Sequence, residues 1–206
     1  MDIAAHGEGE KTLAEILEIL NIGFKDENFF LNKIKEVKGI AFKDENGKSV
    51  KTEKRPLLKM EETPLPNWDL MPREILEHID IIPTHTSRGC PHRCAFCINA
   101  ITKNLWRARD CDGVIEDIKI IKSKTYFKNK PMRFWDENFF VDKKRAEKIV
   151  DTMISEKIII PWETTMRADY IKPDFVNDDF LAKLKKSGCY LLSFGAESGS
   201  EEILKK

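Results

Sequence analysis

The sequence predicts an α/β fold in which a parallel sheet is covered by helices, either open or curved into a partial barrel of about four βα units. From residue 81 onward, stretches rich in β-branched and aromatic residues alternate with stretches of helical periodicity, at intervals of roughly 30 residues. Of the 206 residues, 41% are hydrophobic, which is enough to bury a core. In this architecture functional side chains lie at the carboxyl ends of the strands.

The first segment, residues 1–36, is interpreted as a single βα step. A short apolar strand lies around residues 3–5, and an amphipathic helix is predicted over residues 11–22. Thr12 and Glu15 have the spacing of a capping box at the start of that helix. The apolar residues that share one helical face are Leu13, Ile16, Leu17 and Leu20.

Residues 37–78 are interpreted as a hairpin followed by a proline-rich linker. Asn46 and Gly47 separate two strand-like arms and suit a two-residue primed turn. Several prolines then flank an apolar cluster that we expect to pack against the next domain. The cluster consists of Trp68, Leu70, Met71, Ile75 and Leu76.

Residues 79–206 are predicted to form the main domain, with alternating strands and helices. The predicted strands cover residues 81–87, 131–137, 158–165 and 189–197, and the helices cover residues 111–123, 142–156 and 173–188. The sequence stops about one turn into a further helix, so the last strand would keep an unpaired edge. We therefore expect a fragment of a longer protein, truncated in this domain.

Charge and hydropathy narrow the class of protein. Lys and Arg together number 35, as do Asp and Glu. The chain therefore lacks the excess of basic residues that would indicate a nucleic-acid partner. No run approaches the roughly 18 to 20 apolar residues of a transmembrane helix, and the first residues lack the pattern of a signal peptide. A cytoplasmic location is the expectation.

Three of the five cysteines lie in a C-x-x-x-C-x-x-C loop formed by Cys90, Cys94 and Cys97, directly after the first predicted strand of the main domain. Thiolates favour zinc, copper(I) or iron-sulfur clusters, and three of them can hold three corners of a cubane. The alternative is a zinc-stabilised binding module without catalysis, in which a fourth protein ligand completes the site. The candidates for that ligand are His92, His85 and Cys111.

This loop resembles the signature of the radical SAM superfamily, in which the residue before the last cysteine is usually aromatic, here Phe96. The resemblance implies an enzyme with a [4Fe-4S] cluster on the three cysteines, whose open iron binds S-adenosylmethionine. An electron from the cluster would split the sulfonium into methionine and a 5'-deoxyadenosyl radical. It further implies a small-molecule substrate, which the sequence does not identify, and an electron donor such as ferredoxin or flavodoxin.

The resemblance also implies cofactor-binding side chains at successive strand ends. Asp136 and Glu137 would bind the methionine ammonium, although the motif W-D-E-N does not show which of the two acts. Arg167 would bind the methionine carboxylate, because a guanidinium suits a carboxylate in bidentate geometry. The alternatives are a helix cap for the acidic pair and an ordinary ion pair with Asp169 for the arginine.

At the fourth strand end, Glu197 and Ser198 would bind ribose hydroxyls, and Gly195 would let the backbone turn closely around the ligand. The alternative for Ser198 is a helix cap, since two glutamates follow shortly after it. Phe96 would lie beside the adenine or shield the cluster from water.

Further motifs are similar to a radical SAM subgroup with an N-terminal cobalamin-binding domain. These motifs are HGEGEKTLAEIL, LPNWDLMP, SRGC with the later WRAR, FWDENFFVD and FGAESGSEEIL. Residues 1–36 then correspond to the end of that domain, without the segment that carries its cobalamin-ligating histidine. The resemblance to this subgroup implies that the reaction is a methyl transfer, a ring formation or a rearrangement. If the fragment is inactive alone, that reaction requires the missing parts of the protein.

Overall fold

The computed structural model describes residues 3–23, 27–99 and 105–204, and it divides into two compact units at Thr63 and Pro64. Among its described residues, the first unit has three strands and two α-helices. In chain order these are β1 (Ile3–Ala5), α1 (Glu10–Gly23), α2 (Glu27–Ile34), β2 (Ile40–Lys43) and β3 (Ser49–Lys51).

The three strands of the first unit form one antiparallel sheet in the order β1-β2-β3. Ile3 pairs with Phe42, and Phe42 pairs with Val50 on its other side. The small core of this unit contains Ile34, Val37, Ile40 and Phe42, with Ile16 and Ile19 of α1 packed against it. The hairpin therefore continues a sheet that begins at residue 3, a pairing that the sequence did not reveal.

The hairpin turn differs from the predicted two-residue primed turn. Asp44 donates its backbone N–H to the carbonyl of Lys48 at 2.9 Å, so three residues form the loop. Gly47 has a φ of 73°, whereas Asn46 is not left-handed, although a type I′ turn requires positive φ at both central residues. The carboxylate of Asp44 accepts the N–H groups of Asn46 and Lys48 at 3.0 and 2.9 Å, which stabilises this wider loop.

The predicted capping box at Thr12 and Glu15 is also wrong. Helix α1 begins at Glu10, so Thr12 lies inside its first turn, and its side chain is buried. The Thr12 hydroxyl donates to the Lys38 carbonyl at 3.1 Å and accepts from Nε of Arg55 at 2.9 Å, and Arg55 also binds Glu15. Both residues thus serve contacts with chain segments distant in sequence.

The second unit contains the predicted alternation of strands and helices. Its elements are α3 (Arg73–Glu77), β4 (Ile82–Thr84), β5 (Ser87–Arg88), β6 (Arg107–Ala108), α4 (Cys111–Ser123), β7 (Met132–Phe134), α5 (Lys143–Ser155), β8 (Trp162–Thr165), α6 (Asp178–Lys186), β9 (Cys189–Ser193) and α7 (Glu201–Leu204). Strands β4, β7, β8 and β9 form a parallel sheet in that order. The predicted α/β fold with a parallel sheet is therefore confirmed.

The core of the second unit lies between this sheet and its helices. Met132 and Phe134 of β7 and Trp162 of β8 are at most 1% exposed, and Phe134 stacks on Phe139 with ring centroids 5.0 Å apart. Arg133, between the two buried residues of β7, points to the other face and pairs with Glu163 at 3.2 Å. This alternation fixes which side chains can approach the strand ends from each face.

The apolar cluster predicted in the linker is divided by the structure. Trp68 and Leu76 are buried in the core of the second unit, where Trp68 meets Phe127 edge to face at 5.3 Å. Leu70 is 81% exposed and Ile75 is half-exposed.

Within the described ranges, no helix combines the length and apolar character needed to cross a membrane.

Candidate functional site

The four parallel strands end at one edge of the sheet, and each is followed by residues that the sequence singled out. The cysteine loop follows β4 and β5, the acidic pair follows β7, Arg167 follows β8, and Glu197 with Ser198 follows β9. Because parallel strands point the same way, their carboxyl ends lie side by side. The edge of the sheet at which ligands bind in such folds therefore carries all of these candidates.

The cysteine loop begins with a tight backbone turn. Gly89 has a φ of 81°, a conformation that side chains disfavour, and it directly precedes Cys90. Within the loop, Cys97 donates its N–H to the carbonyl of Cys94 at 2.9 Å. All three cysteines are free thiols and partly exposed. Partly exposed thiols on a short loop are available to bind a metal centre.

Arg167 connects the third strand end to this loop. Its Nη1 donates to Sγ of Cys94 at 3.3 Å, whereas Nε and Nη2 donate to the carboxylate of Asp169 at 2.9 and 2.8 Å. These hydrogen bonds from Arg167 lower the pKa of Asp169. The structure thus shows the ion pair that the sequence left open as an alternative, and it also brings the guanidinium to a predicted ligand of the metal centre.

A second set of contacts around the loop was not found from the sequence. Nε2 of His92 lies 2.8 Å from the hydroxyl of Tyr170, which accepts a hydrogen bond from Nδ2 of Asn138 at 2.9 Å. Asn138 is 1% exposed. Burial lowers the pKa of His92 and raises that of Tyr170. These residues tie the loop to the ends of β7 and β8, and only the tertiary fold reveals them, because they lie far apart in sequence.

The two predicted carboxylates have different surroundings. Asp136 is 3% exposed, and its oxygens accept hydrogen bonds from Thr86 and Ser87. Glu137 is exposed, and its Oε2 accepts the N–H of Gly89 at 3.0 Å. The structure therefore leaves only Glu137 of this pair open towards a ligand.

The fourth strand end has an unusual backbone. Glu197 has a φ of 61°, and a Cβ added to Gly195 would lie 2.2 Å from Oε1 of Glu197, so the glycine makes room for that side chain. The hydroxyl of Ser198 accepts the N–H of Ser200 at 3.0 Å, just before α7. The Ser198 contact is the kind of local bond that the capping alternative describes.

Phe96, which lies in the cysteine loop directly before Cys97, is 71% exposed.

The fourth ligand that a structural zinc site needs is not supplied by Cys111. This residue is buried in α4, where Sγ lies 3.8 Å from the hydroxyl of Thr152, and burial raises the pKa of its thiol. Over the described ranges, no group of three or more His, Cys, Asp or Glu side chains is arranged to hold one metal ion. In a cubane each thiolate would bind a separate iron, so three soft thiols on one short loop suit a cubane without converging on a single ion.

Comparison with known proteins agrees with this arrangement. The family model described as the radical SAM superfamily matches residues 84–206. An uncharacterized methyltransferase of Pyrococcus horikoshii is 31% identical over 211 residues, which cover 99% of this chain and 42% of that protein. The anaerobic magnesium-protoporphyrin IX monomethyl ester cyclase of Rubrivivax gelatinosus is 24% identical over 210 residues, covering 98% of this chain and 35% of the cyclase.

Among solved structures, the cobalamin-dependent S-adenosylmethionine radical enzyme OxsB, with aqua-cobalamin and S-adenosylmethionine bound, matches with a TM-score of 0.75 and 26% identity. The match covers 98% of this chain and 29% of OxsB. The chain thus spans about two fifths or less of the length of each of these relatives. The family model covers more than half of the chain, including the cysteine loop and all four strand ends, and the chain therefore belongs to the radical SAM superfamily.

Proposed function

We propose that the chain is the catalytic part of an enzyme that cleaves S-adenosylmethionine reductively at a [4Fe-4S] cluster. The observation that carries this proposal is the position of the C-x-x-x-C-x-x-C loop at the carboxyl end of the first strand of a parallel sheet, with Arg167 against Cys94 at 3.3 Å. Membership of the radical SAM superfamily supports it. A zinc-binding module would need four protein ligands gathered around one ion, and over the described residues no group of even three His, Cys, Asp or Glu side chains is so arranged.

Cys90, Cys94 and Cys97 would hold three irons and leave the fourth open. When bound, a reduced cubane supplies the electron that breaks the bond between sulfur and C5′ of the nucleotide, which gives methionine and a 5′-deoxyadenosyl radical. The chain's own groups bind and orient. Glu137 would bind the methionine ammonium, and Arg167 would bind its carboxylate, because each is exposed or partly exposed at the correct edge of the sheet.

Glu197 and Ser198 would bind the ribose, and Phe96 would cover the adenine. The exposure of the Glu197 carboxylate and of the Phe96 ring leaves both side chains free to contact a nucleotide. The bond from Ser200 occupies only one acceptor site of the Ser198 hydroxyl, so its hydrogen can still be donated. These assignments rest on the resemblance to the superfamily, and the order of the motifs along the sheet is consistent with them.

The final reaction would be methyl transfer or ring formation on a small molecule. The similar protein of Pyrococcus horikoshii is named a methyltransferase, the protein of Rubrivivax gelatinosus is named a cyclase, and OxsB is described as cobalamin-dependent. We propose that residues 1–36 correspond to the end of a cobalamin-binding domain, that residues 37–78 connect it to the radical SAM domain at 79–206, and that cobalamin assists the reaction. A cytoplasmic ferredoxin or flavodoxin would supply the electron.

The test is reconstitution of the chain with iron and sulfide without oxygen. We expect a brown protein with about four irons per chain that, with reductant, converts S-adenosylmethionine into methionine and 5′-deoxyadenosine. Cys94→Ala abolishes both properties, whereas Cys189→Ala, a change at a cysteine outside the loop, preserves them. A colourless protein that retains one zinc per chain would refute the proposal in favour of the binding module.

A further inference from the structure

The strand that leads into the cysteine loop is held by a buried carboxylate. Thr86 and Ser87 are 1% and 0% exposed, and Asp136 is 3% exposed. Thr86 donates its N–H to Oδ1 of Asp136 at 2.7 Å, and the hydroxyls of Thr86 and Ser87 donate to Oδ2 at 2.5 and 2.6 Å. Three donors from two consecutive residues therefore converge on one carboxylate, as a buried charge requires.

Arg145, from the first turn of α5, holds the same segment by binding the backbone carbonyl oxygen of Thr86. Its Nη2 donates to the carbonyl of Thr86 and its Nε to the carbonyl of Arg109, both at 2.8 Å. Arg109 in turn donates its N–H to the Thr86 carbonyl at 2.9 Å. Burial lowers the pKa of Arg145, and the nearby Asp136 carboxylate partly opposes that effect.

The constraint continues without a gap to the first cysteine. Ser87 and Arg88 pair with β6, and the next residue, Gly89, donates its N–H to Glu137 at 3.0 Å while adopting a φ of 81°. Cys90 follows directly. Because every residue from 86 to 89 is held by a hydrogen bond or a strand pair, a shift at Thr86 would move Cys90.

We infer that Asp136 and Arg145 are positioning residues that fix the strand leading into Cys90, and that Asp136 is not a contact of S-adenosylmethionine. The inference rests on the proposed function, since it concerns the loop that would hold the cluster. Asp136 is 3% exposed and three protein donors already bind its oxygens, so it presents almost no surface to a ligand. Groups that orient metal ligands in this way commonly alter metal retention by about 10- to 100-fold when they are changed.

The first arm of the test uses the full chain without any cluster and measures amide hydrogen exchange. Asp136→Asn, which keeps the size but removes the charge, is expected to speed exchange at Thr86. The matched control is Asp151→Asn, the same chemical change in the exposed pair with Lys183, which should leave that amide unaffected. Equal protection of Thr86 in the wild-type chain and in Asp136→Asn would overturn the inference.

The second arm uses the reconstituted chain. Asp136→Asn is expected to lose iron to a chelator about tenfold faster than the wild type, and the Michaelis constant for S-adenosylmethionine should change less than about twofold. If instead iron retention is unchanged and that constant rises, Asp136 contacts the nucleotide and the inference is wrong. If the wild-type chain assembles no cubane, the proposed function fails, while the exchange arm still decides the role of Asp136.

A milder variant protects the test against misfolding. Thr86→Val removes one hydroxyl donor and leaves the carboxylate and its charge in place. We therefore expect faster amide exchange and faster iron loss, but both by less than in Asp136→Asn. Arg145→Lys can still donate to one of the two carbonyl oxygens, so we expect its rate of iron loss to lie between those of the wild type and Arg145→Met. If Thr86→Val and Arg145→Met both matched the wild type in iron retention, the positioning role would be excluded.

Discussion

Nη1 of Arg109 lies 2.6 Å from Oδ2 of Asp117, and the two side chains are only 16% and 7% exposed. Burial outweighs the attraction of Arg109 and raises the pKa of Asp117 to about 6, with smaller contributions from Glu116 and Asp110. Between pH 3.8, the ordinary pKa of an aspartate, and about 6, Asp117 is therefore protonated in the folded protein and ionised in the unfolded chain. This group favours folding below that window, and its contribution falls as the pH rises through it.

We predict that Asp117→Asn removes this part of the pH dependence. Relative to the wild type, the variant should gain unfolding free energy as the pH rises from about 4 to 7, by at most roughly 3 kcal/mol. Denaturant unfolding at several pH values measures the difference. A constant difference between the two proteins across that range would show that the carboxyl group titrates normally.

The turn before β9 provides a second prediction. Gly188 has a φ of 100°, and a Cβ at this position would lie 2.4 Å from the carbonyl oxygen of Ile160. Gly47 has a φ of 73° but nothing within 4 Å of such a Cβ. Gly47→Ala should therefore cost about 1 kcal/mol from backbone strain alone, and Gly188→Ala clearly more. Thermal unfolding compares the two, and equal losses would show that the clash at Gly188 relaxes freely.

The core of the second unit gives a third prediction. Ile149 of α5 is 0% exposed, whereas Ile120 of α4 is 38% exposed. Ile149→Ala should lower the unfolding free energy by about 2 to 5 kcal/mol, since it leaves a cavity among packed side chains. Ile120→Ala should change it by less than about 1 kcal/mol. Similar losses for both variants would contradict the packing described for α5.

The periodicity of the sequence was sufficient to predict the parallel sheet, because strands and helices that alternate in this way have few other ways to bury their apolar faces. The predicted strands were too long. Ile158 and Ile160 are buried but lie outside β8, and Pro161 has no amide hydrogen to pair. Apolar content indicates burial, whereas strand bounds depend on hydrogen bonds that the sequence does not show.

Local patterns failed where distant segments competed for the same groups. Thr12 suited a helix cap, yet its hydroxyl binds Arg55, which is 43 residues away. The sequence also did not show that Thr86 and Ser87, about 50 residues away, donate hydrogen bonds to the oxygens of Asp136. The order of the candidate residues along the sheet edge was predictable from the sequence. Which of two adjacent carboxylates faces outward depends on the partner across the sheet.

The contact between Arg167 and Cys94 leads to the last prediction, which rests on the proposed function. Arg167 divides its donors between the loop and Asp169, so a bound carboxylate would compete with Asp169 for the guanidinium. Arg167→Lys should weaken binding of S-adenosylmethionine about tenfold, since lysine lacks the planar fork that pairs with a carboxylate. Asp169→Asn should tighten binding, because it frees the guanidinium without removing it. Equilibrium dialysis of the nucleotide against the reconstituted protein measures both changes. If Asp169→Asn left the affinity unchanged or lowered it, Arg167 would act only as the partner of Asp169, and the methionine carboxylate would be held elsewhere.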